Sequence, residues 1–286
     1  MRNPLLAVDA PSMLFRAFYA LPDSIVGPHG SPVNALLGAA NLIVREVEAH
    51  GPRAVVLCLG PDAASYRTEL YPAYHADRPE LPDGLAPQWD DSDAFFASFG
   101  WIVARSESLE ADDLLGSFAR REAEAGGRAL LLTGDRDMYQ CAGQRVTVLY
   151  LRTGRRGAEA VTPQGVRERY GVDPGQVPDF IALRGDPADG LPGARGVGPK
   201  TAAELLRRHG SLERTLEEAI RERRPKLRDA LLDAREELLA FKEIATLRDA
   251  GVERPPDRPT DWPGAAAAAR ERGMSRLAER LEANCA

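Results

Sequence analysis

Cysteine is scarce in these 286 residues, with three copies at Cys58, Cys141 and Cys285. They are odd in number, far apart and in no C-x-x-C spacing, which argues against a zinc site and for a reducing cytoplasm. Long hydrophobic runs are missing as well. The apolar start LLAV is broken by Asp9 and Pro11, so it is neither a signal-peptide core nor a membrane span, and no later run is long enough to cross a bilayer. Internal repeats are absent. So is any excess of positive charge: the formal net charge is −6, which at first sight argues against a nucleic-acid partner. What the chain does have is 44% hydrophobic residues, enough to bury one substantial core and a smaller second one.

The charge objection weakens once the acids are located. Eight carboxylates, Asp9, Glu110, Asp112, Asp113, Asp135, Asp137, Asp186 and Asp189, fall in three motifs and one strand end, and setting them aside leaves the remainder net positive. Basic residues cluster at Arg152, Arg155 and Arg156, at Arg207 and Arg208, and across Arg221, Arg223, Arg224, Lys226 and Arg228. Solvated faces of Arg-rich helices explain any one of these clusters equally well.

Short Val- and Leu-rich runs, LLAV before Asp9, AVVLCL at 54–59, ALLLT at 129–133 and VTVLY at 146–150, alternate with helical patterns. That alternation predicts an α/β fold with a mostly parallel sheet covered on both faces. VNALLGAANLIVREVEAH (33–50) keeps one apolar face and stops before Gly51-Pro52, while EADDLLGSFARREAEAG (110–126) opens on acids and ends at Gly126-Gly127. From Thr162-Pro163, a good helix opening, the pattern is helical to the end, so a boundary is placed near 160, separating 1–160 from 161–286. The polar, proline-punctuated stretch 61–92 reads as a long excursion between sheet elements, and the Ala-rich PGAAAAARERG as a plain helix.

In open α/β sheets functional groups gather where strands end at their carboxyl edge. Asp9 closes the first strand, Asp135 and Asp137 follow the strand at 129–133, and Glu110, Asp112 and Asp113 open the helix after WIVA. Asp186 and Asp189 sit three apart at a helix-to-loop transition. Hard oxygen donors without paired His or Cys fit magnesium or manganese. Converging carboxylates repel one another unless protonated or neutralised, and divalent cations are the usual answer. Two such ions roughly 3.5–4 Å apart would activate a water and stabilise the leaving oxygen of a phosphodiester. Each motif alone has an ordinary explanation as a turn, cap or helix-dipole group; their joint presence carries the argument.

In LPGARGVGPKTAAELLRRHGSLE (191–213), Gly193, Gly196 and Gly198 make a tight turn and Pro199 starts a helix whose free N–H groups can hold a phosphate. This is a helix-hairpin-helix pattern, spanning about 184–213, that binds duplex without reading sequence. Lys200 and Thr201, beside Gly196 and Gly198, belong to that DNA-binding set.

Taken in order, LAVDAPSMLFRAFYALP, SYRTELYPAYHADRP, EADD, TGDRDMYQ and GDPADGLPGARGVGPKTA resemble the bacterial and phage 5′→3′ exonuclease and flap endonuclease family, including the nuclease portion of bacterial DNA polymerase I. The resemblance runs from about residue 4 to 250. It implies a PIN-like three-layer core with a helical arch at about 61–92 and a C-terminal helix-hairpin-helix region. It also implies one metal site at Asp9, Glu110, Asp112 and Asp113 and a second at Asp135, Asp137, Asp186 and Asp189, for two or three Mg2+ or Mn2+ ions, with K+ at the hairpin carbonyls. Arg67 and Arg78 match residues expected to steer the scissile phosphate, Arg16 a phosphate contact, and Tyr74 an arch aromatic that stacks on a displaced base. Local packing in a Pro-rich loop is the plain alternative for Tyr74. The implied partners are 5′ flaps, 5′ ends and duplex junctions met in replication and repair, handled by a monomer.

Two positions depart from the family pattern. CLGPDA puts Gly60 where a metal-site carboxylate is usual, with Asp62 the candidate replacement two residues late, and His75 stands where the arch carries a lysine. Three readings therefore compete: an active metal-dependent 5′ nuclease, a branched-DNA-binding paralogue with weak or no cleavage, and a PIN-like RNase. Retention of eight acids favours the first over the second, since a binder has no need to assemble groups that repel each other. The hairpin argues against the third.

Overall fold

The computed structural model describes residues 3–28, 30–152 and 157–285, so Arg155 and Arg156 of the first basic cluster lie outside the described residues. Six strands, β1 (Leu5–Asp9), β2 (Ala54–Leu59), β3 (Ile102–Arg105), β4 (Ala129–Thr133), β5 (Val146–Leu151) and β6 (Ala158–Val161), form one sheet in the order β3-β2-β1-β4-β5-β6. All neighbours are parallel except β6, which runs antiparallel to β5 at the edge. Of these, β6 is the one that the sequence pattern did not announce: four residues, AEAV, carry too little alternation to register.

The pleat sorts side chains onto two cores. Leu5 and Ala7 of β1, with Ala54, Val56 and Cys58 of β2, face a cluster completed by α5 (Ala111–Glu124), α7 (Val177–Arg184), α8 (Pro199–His209) and α11 (Arg235–Ala245). Leu6 and Val8, with Val55, Leu57 and Leu59, face the other side against α1 (Ala10–Ala20), α2 (Asn34–His50) and α4 (Ala86–Ala97). Strands buried on both faces read as unbroken apolar runs for this reason. Helix ends follow their local chemistry. Gly51 takes a left-handed φ of 52° to close α2, and Thr162 accepts the Gly165 N–H at the start of α6 (Pro163–Tyr170).

Two expectations change. The stretch 61–92, read as an excursion between sheet elements rather than core, sets part of itself against the core. It folds into α3 (Ser65–Leu70), a run of turns and the start of α4, because Leu70, Tyr71 and Tyr74 pack on the first core, with Tyr71 edge-on to Phe241 at 5.0 Å. Nor does the helical part from 161 onward stay together. The Ala-rich α12 (Trp262–Glu271) and α13 (Ser275–Glu282) return to the sheet and bury Ala265, Ala269, Leu277 and Leu281 in the second core, while Arg272 pairs with Asp91 of α4. Among the described residues no helix is long and apolar enough to cross a membrane.

Candidate active site

At the carboxyl edge of the parallel strands lies a cavity of about 620 Å3 lined by Asp9, Glu110, Asp112, Asp135, Asp137 and Asp189, with Arg67 and Arg78 on its wall. Each acid is aimed by backbone chemistry. Asp9 caps α1, its Oδ1 accepting Ser12 N–H at 2.9 Å and its Oδ2 the Thr133 hydroxyl at 2.7 Å. That threonine, fully buried at the end of β4, also accepts the Asp135 N–H at 2.9 Å, so one hydroxyl ties together acids 126 positions apart in the chain. Asp135 in turn accepts Asp137 N–H at 2.8 Å. Thr133 had been read only as the last residue of a strand.

Glu110 sits at the N-terminus of α5, where the helix dipole favours negative charge. Its Oε1 accepts Ala64 N–H at 2.8 Å and its Oε2 the Tyr74 hydroxyl at 3.0 Å, and Arg67 pairs with the same carboxylate. Asp113 and Asp186 do not reach the cavity lining. Asp113 is fully buried, accepting Glu110 N–H at 3.2 Å and Arg248 N–H at 2.8 Å and pairing with Arg67 at 3.1 Å, so its oxygens are already used. Asp186 pairs with Arg184 at 2.9 Å and caps its own turn through Ala188 N–H at 3.0 Å.

The electrostatics are those of an acid cluster short of counter-charge. Burial first, then the charge of Asp189, pushes Asp135 up to about 6. Burial together with the neighbouring acids holds Asp112 and Asp137 well above the usual carboxylate range, and burial raises Asp9 despite its two hydrogen bonds. Asp189 goes the other way. Burial opposes it, but the His75 hydrogen bond and the charges of His75 and Arg78 hold it below its ordinary value.

The arch residues occupy different places from those expected. Tyr74 is 5% exposed, with its ring stacked on His75 at 3.8 Å and its hydroxyl on Glu110, so in this structure it is not a surface platform for a base. Arg67 is 3% exposed and bound to Glu110, Asp113 and the Ile244 carbonyl; only one face of it meets the cavity. His75 adopts a left-handed φ of 57°, uncommon outside glycine, and is held there by the Asp62 carbonyl at Nδ1 (2.7 Å) and Asp189 at Nε2 (3.0 Å). Arg78 is the more open cation, bridging Asp62 and Asp189 at 3.0 and 3.1 Å. Arg16 lies outside the acid cavity, in a neighbouring groove, with Nη2 donating to the Leu151 carbonyl.

Gly60 has no room for a side chain. A Cβ there would come within 2.3 Å of the Leu109 carbonyl oxygen and 2.9 Å of the Glu110 Cα. Asp62 is spent on Arg78, at the rim, with its side chain 64% exposed.

The loop that carries Asp186 and Asp189 continues into the hairpin. Gly193 and Gly196 have φ of 67° and 77°, and Gly198 caps α8, whose first residue is Pro199. Leu191, Ala194 and Val197 anchor this loop in the core, while Gly196, Gly198 and Lys200 face outward and Thr201 is half-buried beside them. Space above Gly196 and Gly198 is open, which leaves the backbone N–H groups approachable. The other basic clusters are largely neutralised locally: Arg208 and Arg224 pair with Glu222, and Arg221 with Glu218.

Comparison with known proteins decides the family. A profile described as "5′-3′ exonuclease, N-terminal resolvase-like domain" matches residues 4–171, and one described as "5′-3′ exonuclease, C-terminal SAM fold" matches residues 172–258. The chain belongs to the 5′-3′ exonuclease family. Stand-alone family members are similar: a 5′-3′ exonuclease of Mycobacterium tuberculosis is 39% identical over 76% of this chain and 74% of its own length, and one of Streptomyces coelicolor 39% identical over 72% of each. DNA polymerase I of Mycobacterium bovis is 37% identical over 88% of this chain, which spans only 28% of that polymerase. In fold, this family member superposes on T5 5′-exonuclease with bound zinc at a TM-score of 0.70 (17% identity, 99% of this chain and 98% of that one). The catalytic core of Rad2 in complex with DNA substrate gives 0.64 (14% identity, 98% and 91%). The family boundary at 171–172 falls after α6, about ten residues beyond the boundary near 160 read from the pattern.

The donors converging on this cavity are hard oxygens throughout, the kind that suits magnesium or manganese. Among the described residues, however, no three His, Cys, Asp or Glu side chains are placed so that they could grip an ion unaided. For magnesium this is no contradiction, because it keeps several waters and takes one or two carboxylates plus substrate phosphate oxygens rather than an all-protein cage.

Proposed function

We propose that this 5′-3′ exonuclease family member is a metal-dependent 5′ nuclease that hydrolyses phosphodiester bonds in DNA at 5′ ends and 5′ flaps. The observation that carries this reading is the convergence of six carboxylates on one cavity, four of them held protonation-prone by burial and three of those also by their acidic neighbours. Asp9, Glu110 and Asp112 would share in holding one divalent ion, magnesium or manganese, and Asp135, Asp137 and Asp189 a second, with waters and substrate phosphate oxygens completing each shell. When bound, the ions supply an activated water and Lewis-acid stabilisation of the leaving oxygen.

The remaining roles belong to the chain itself. Arg78, at the mouth of the cavity, neutralises the phosphate being cut, and leaves Asp189 to do so. Arg67 keeps Glu110 and Asp113 in register from behind. Gly196, Gly198, Lys200 and Thr201 hold the duplex backbone, with K+ at the hairpin carbonyls, and thereby set how far the 5′ strand must reach to the acids.

A 5′-flap duplex, end-labelled and incubated with purified protein in magnesium, manganese or EDTA, tests this directly. Products that need metal support the nuclease. One observation favours a second reading, a branched-DNA binder with feeble cleavage: position 60 carries no carboxylate and has no space for one. Tight flap binding with no product in either metal would establish that reading instead.

A further inference from the structure

Beside the acid cavity, and sharing Ser12 and Phe15 with it, runs a second cavity of about 850 Å3 between α1 and α2. Its size falls within the roughly 300–1,000 Å3 of ordinary ligand clefts. Among the described residues its lining includes four arginines, Arg16, Arg45, Arg152 and Arg280, and no aspartate or glutamate. Its floor is apolar, formed where α1 and α2 approach so closely that a Cβ on Gly38 would sit 2.6 Å from the Ala17 Cβ, and Leu42 lies along it. Tyr19 stands on its edge, 68% exposed.

The four cations are not all spent on protein. Arg45 meets Glu46 at 3.0 Å, Arg280 pairs with Glu48, and Arg152 has Glu159 at 3.8 Å, but these carboxylates lie outside the lining. Arg45 Nη2 and Arg16 Nε are enclosed and meet no acceptor. Those two nitrogens are out of a ligand's reach, and it is the cavity-facing N–H groups of the same arginines that a phosphate oxygen can meet. Guanidinium groups over an apolar floor with one free aromatic ring are what unpaired nucleotides need: phosphates on the charges, base faces on the floor and ring. Paired bases keep their faces covered and gain nothing from such a floor.

We propose that this groove binds a short unpaired DNA segment adjoining the scissile phosphate, with Tyr19 stacking a base and Arg45 and Arg152 holding its backbone. The proposal rests on the nuclease reading for the strand's identity, but its test does not need cleavage. Fluorescence anisotropy of a short labelled oligothymidylate in EDTA reads strand binding without cleavage, and the groove variants read the groove's share of it. Tyr19→Ala should weaken binding roughly tenfold, within the ~1–3 kcal/mol range for base stacking on an aromatic. Arg45→Glu and Arg152→Glu should each weaken it and flatten its salt dependence by about one phosphate contact. Arg128→Glu, an exposed arginine just before β4 at the opposite edge of the sheet, should bind as the parent does. Melting curves identify any variant that loses its fold, with Arg45→Gln as the milder substitute.

Unchanged affinity in Tyr19→Ala and both charge reversals would overturn the proposal. So would equal loss in Arg128→Glu, or a blunt duplex of the same length competing as well as the single strand. If the groove variants lose the oligonucleotide while the parent protein cuts nothing in any metal, the groove stands and the nuclease reading falls.

Discussion

His75 Nε2 lies 3.0 Å from Asp189 Oδ1. That contact joins the turn after α3 to the loop that carries the hairpin, and it places His75 directly on a carboxylate of the acid cavity. Arg78 Nη2 donates to the same oxygen at 3.1 Å.

Asp137→Asn should abolish cleavage, by two orders of magnitude or more, about 3 kcal/mol of transition-state stabilisation, while flap binding is kept or tightened. Removing one acid from a repelling cluster relieves the metal-free fold, so the same variant should melt no lower than the parent. Retained activity in a gel assay would remove Asp137 from the metal site.

The pH dependence of stability follows from the raised acids. Asp9, Asp112, Asp135 and Asp137 bind protons more tightly folded than unfolded, so the native state carries more protons between the unfolded carboxylate range near ~4 and the folded values, about 6 for Asp135. Stability of the metal-free protein should therefore fall as pH rises through that window. Thermal melts in EDTA at pH 5.5 and 7.5 read this, and saturating magnesium should restore the loss at the higher pH. A melting temperature that rises with pH in EDTA would contradict the assignment.

Tyr74→Ala should destabilise the fold by roughly 3–5 kcal/mol, as expected for emptying an aromatic site in a core. Tyr74→Phe should cost about 1 kcal/mol by removing the hydrogen bond to Glu110. A stable Tyr74→Ala protein that merely binds flaps less well would return this ring to the DNA interface.

Gly60→Asp should neither restore a metal ligand nor raise activity. The Leu109–Glu110 backbone must move to admit any side chain, and Glu110 moves with it. Melting temperature and cleavage rate measured together decide this, and a stable, faster variant would show that the loop yields.

Lys200→Ala should weaken duplex binding about equally for all sequences and reduce the salt slope by about one. Anisotropy titrations on two unrelated duplexes over a range of salt give both numbers.

Much of this arrangement was legible in the sequence, for identifiable reasons. The strands β1, β2, β4 and β5 are apolar runs ended by Asp9, Gly60, Gly134 and Arg152, and α2, α5 and α6 carry their own caps, so local chemistry delimits them. The acids were visible because they stand at strand ends. What was not legible depends on partners distant in the chain. Tyr74 in a Pro-rich stretch looks like a surface residue until Glu110 and the first core are brought to it. Asp113 and Asp112 are adjacent and alike, and only Arg67 and Arg248, from elsewhere in the chain, turn the first of them inward. An Ala-rich helix such as α12 has no feature that names its docking face. The groove between α1 and α2 gathers Arg152 and Arg280 from far along the chain to Arg16 and Arg45, which no local pattern can announce.

The most direct test of the central claim is a calorimetric titration of metal-free protein with manganese, parent beside Asp137→Asn. The account predicts two ions bound per chain in the parent and one in the variant, with the surviving site unchanged in affinity. No manganese binding by the parent, or the same stoichiometry in both, would contradict it.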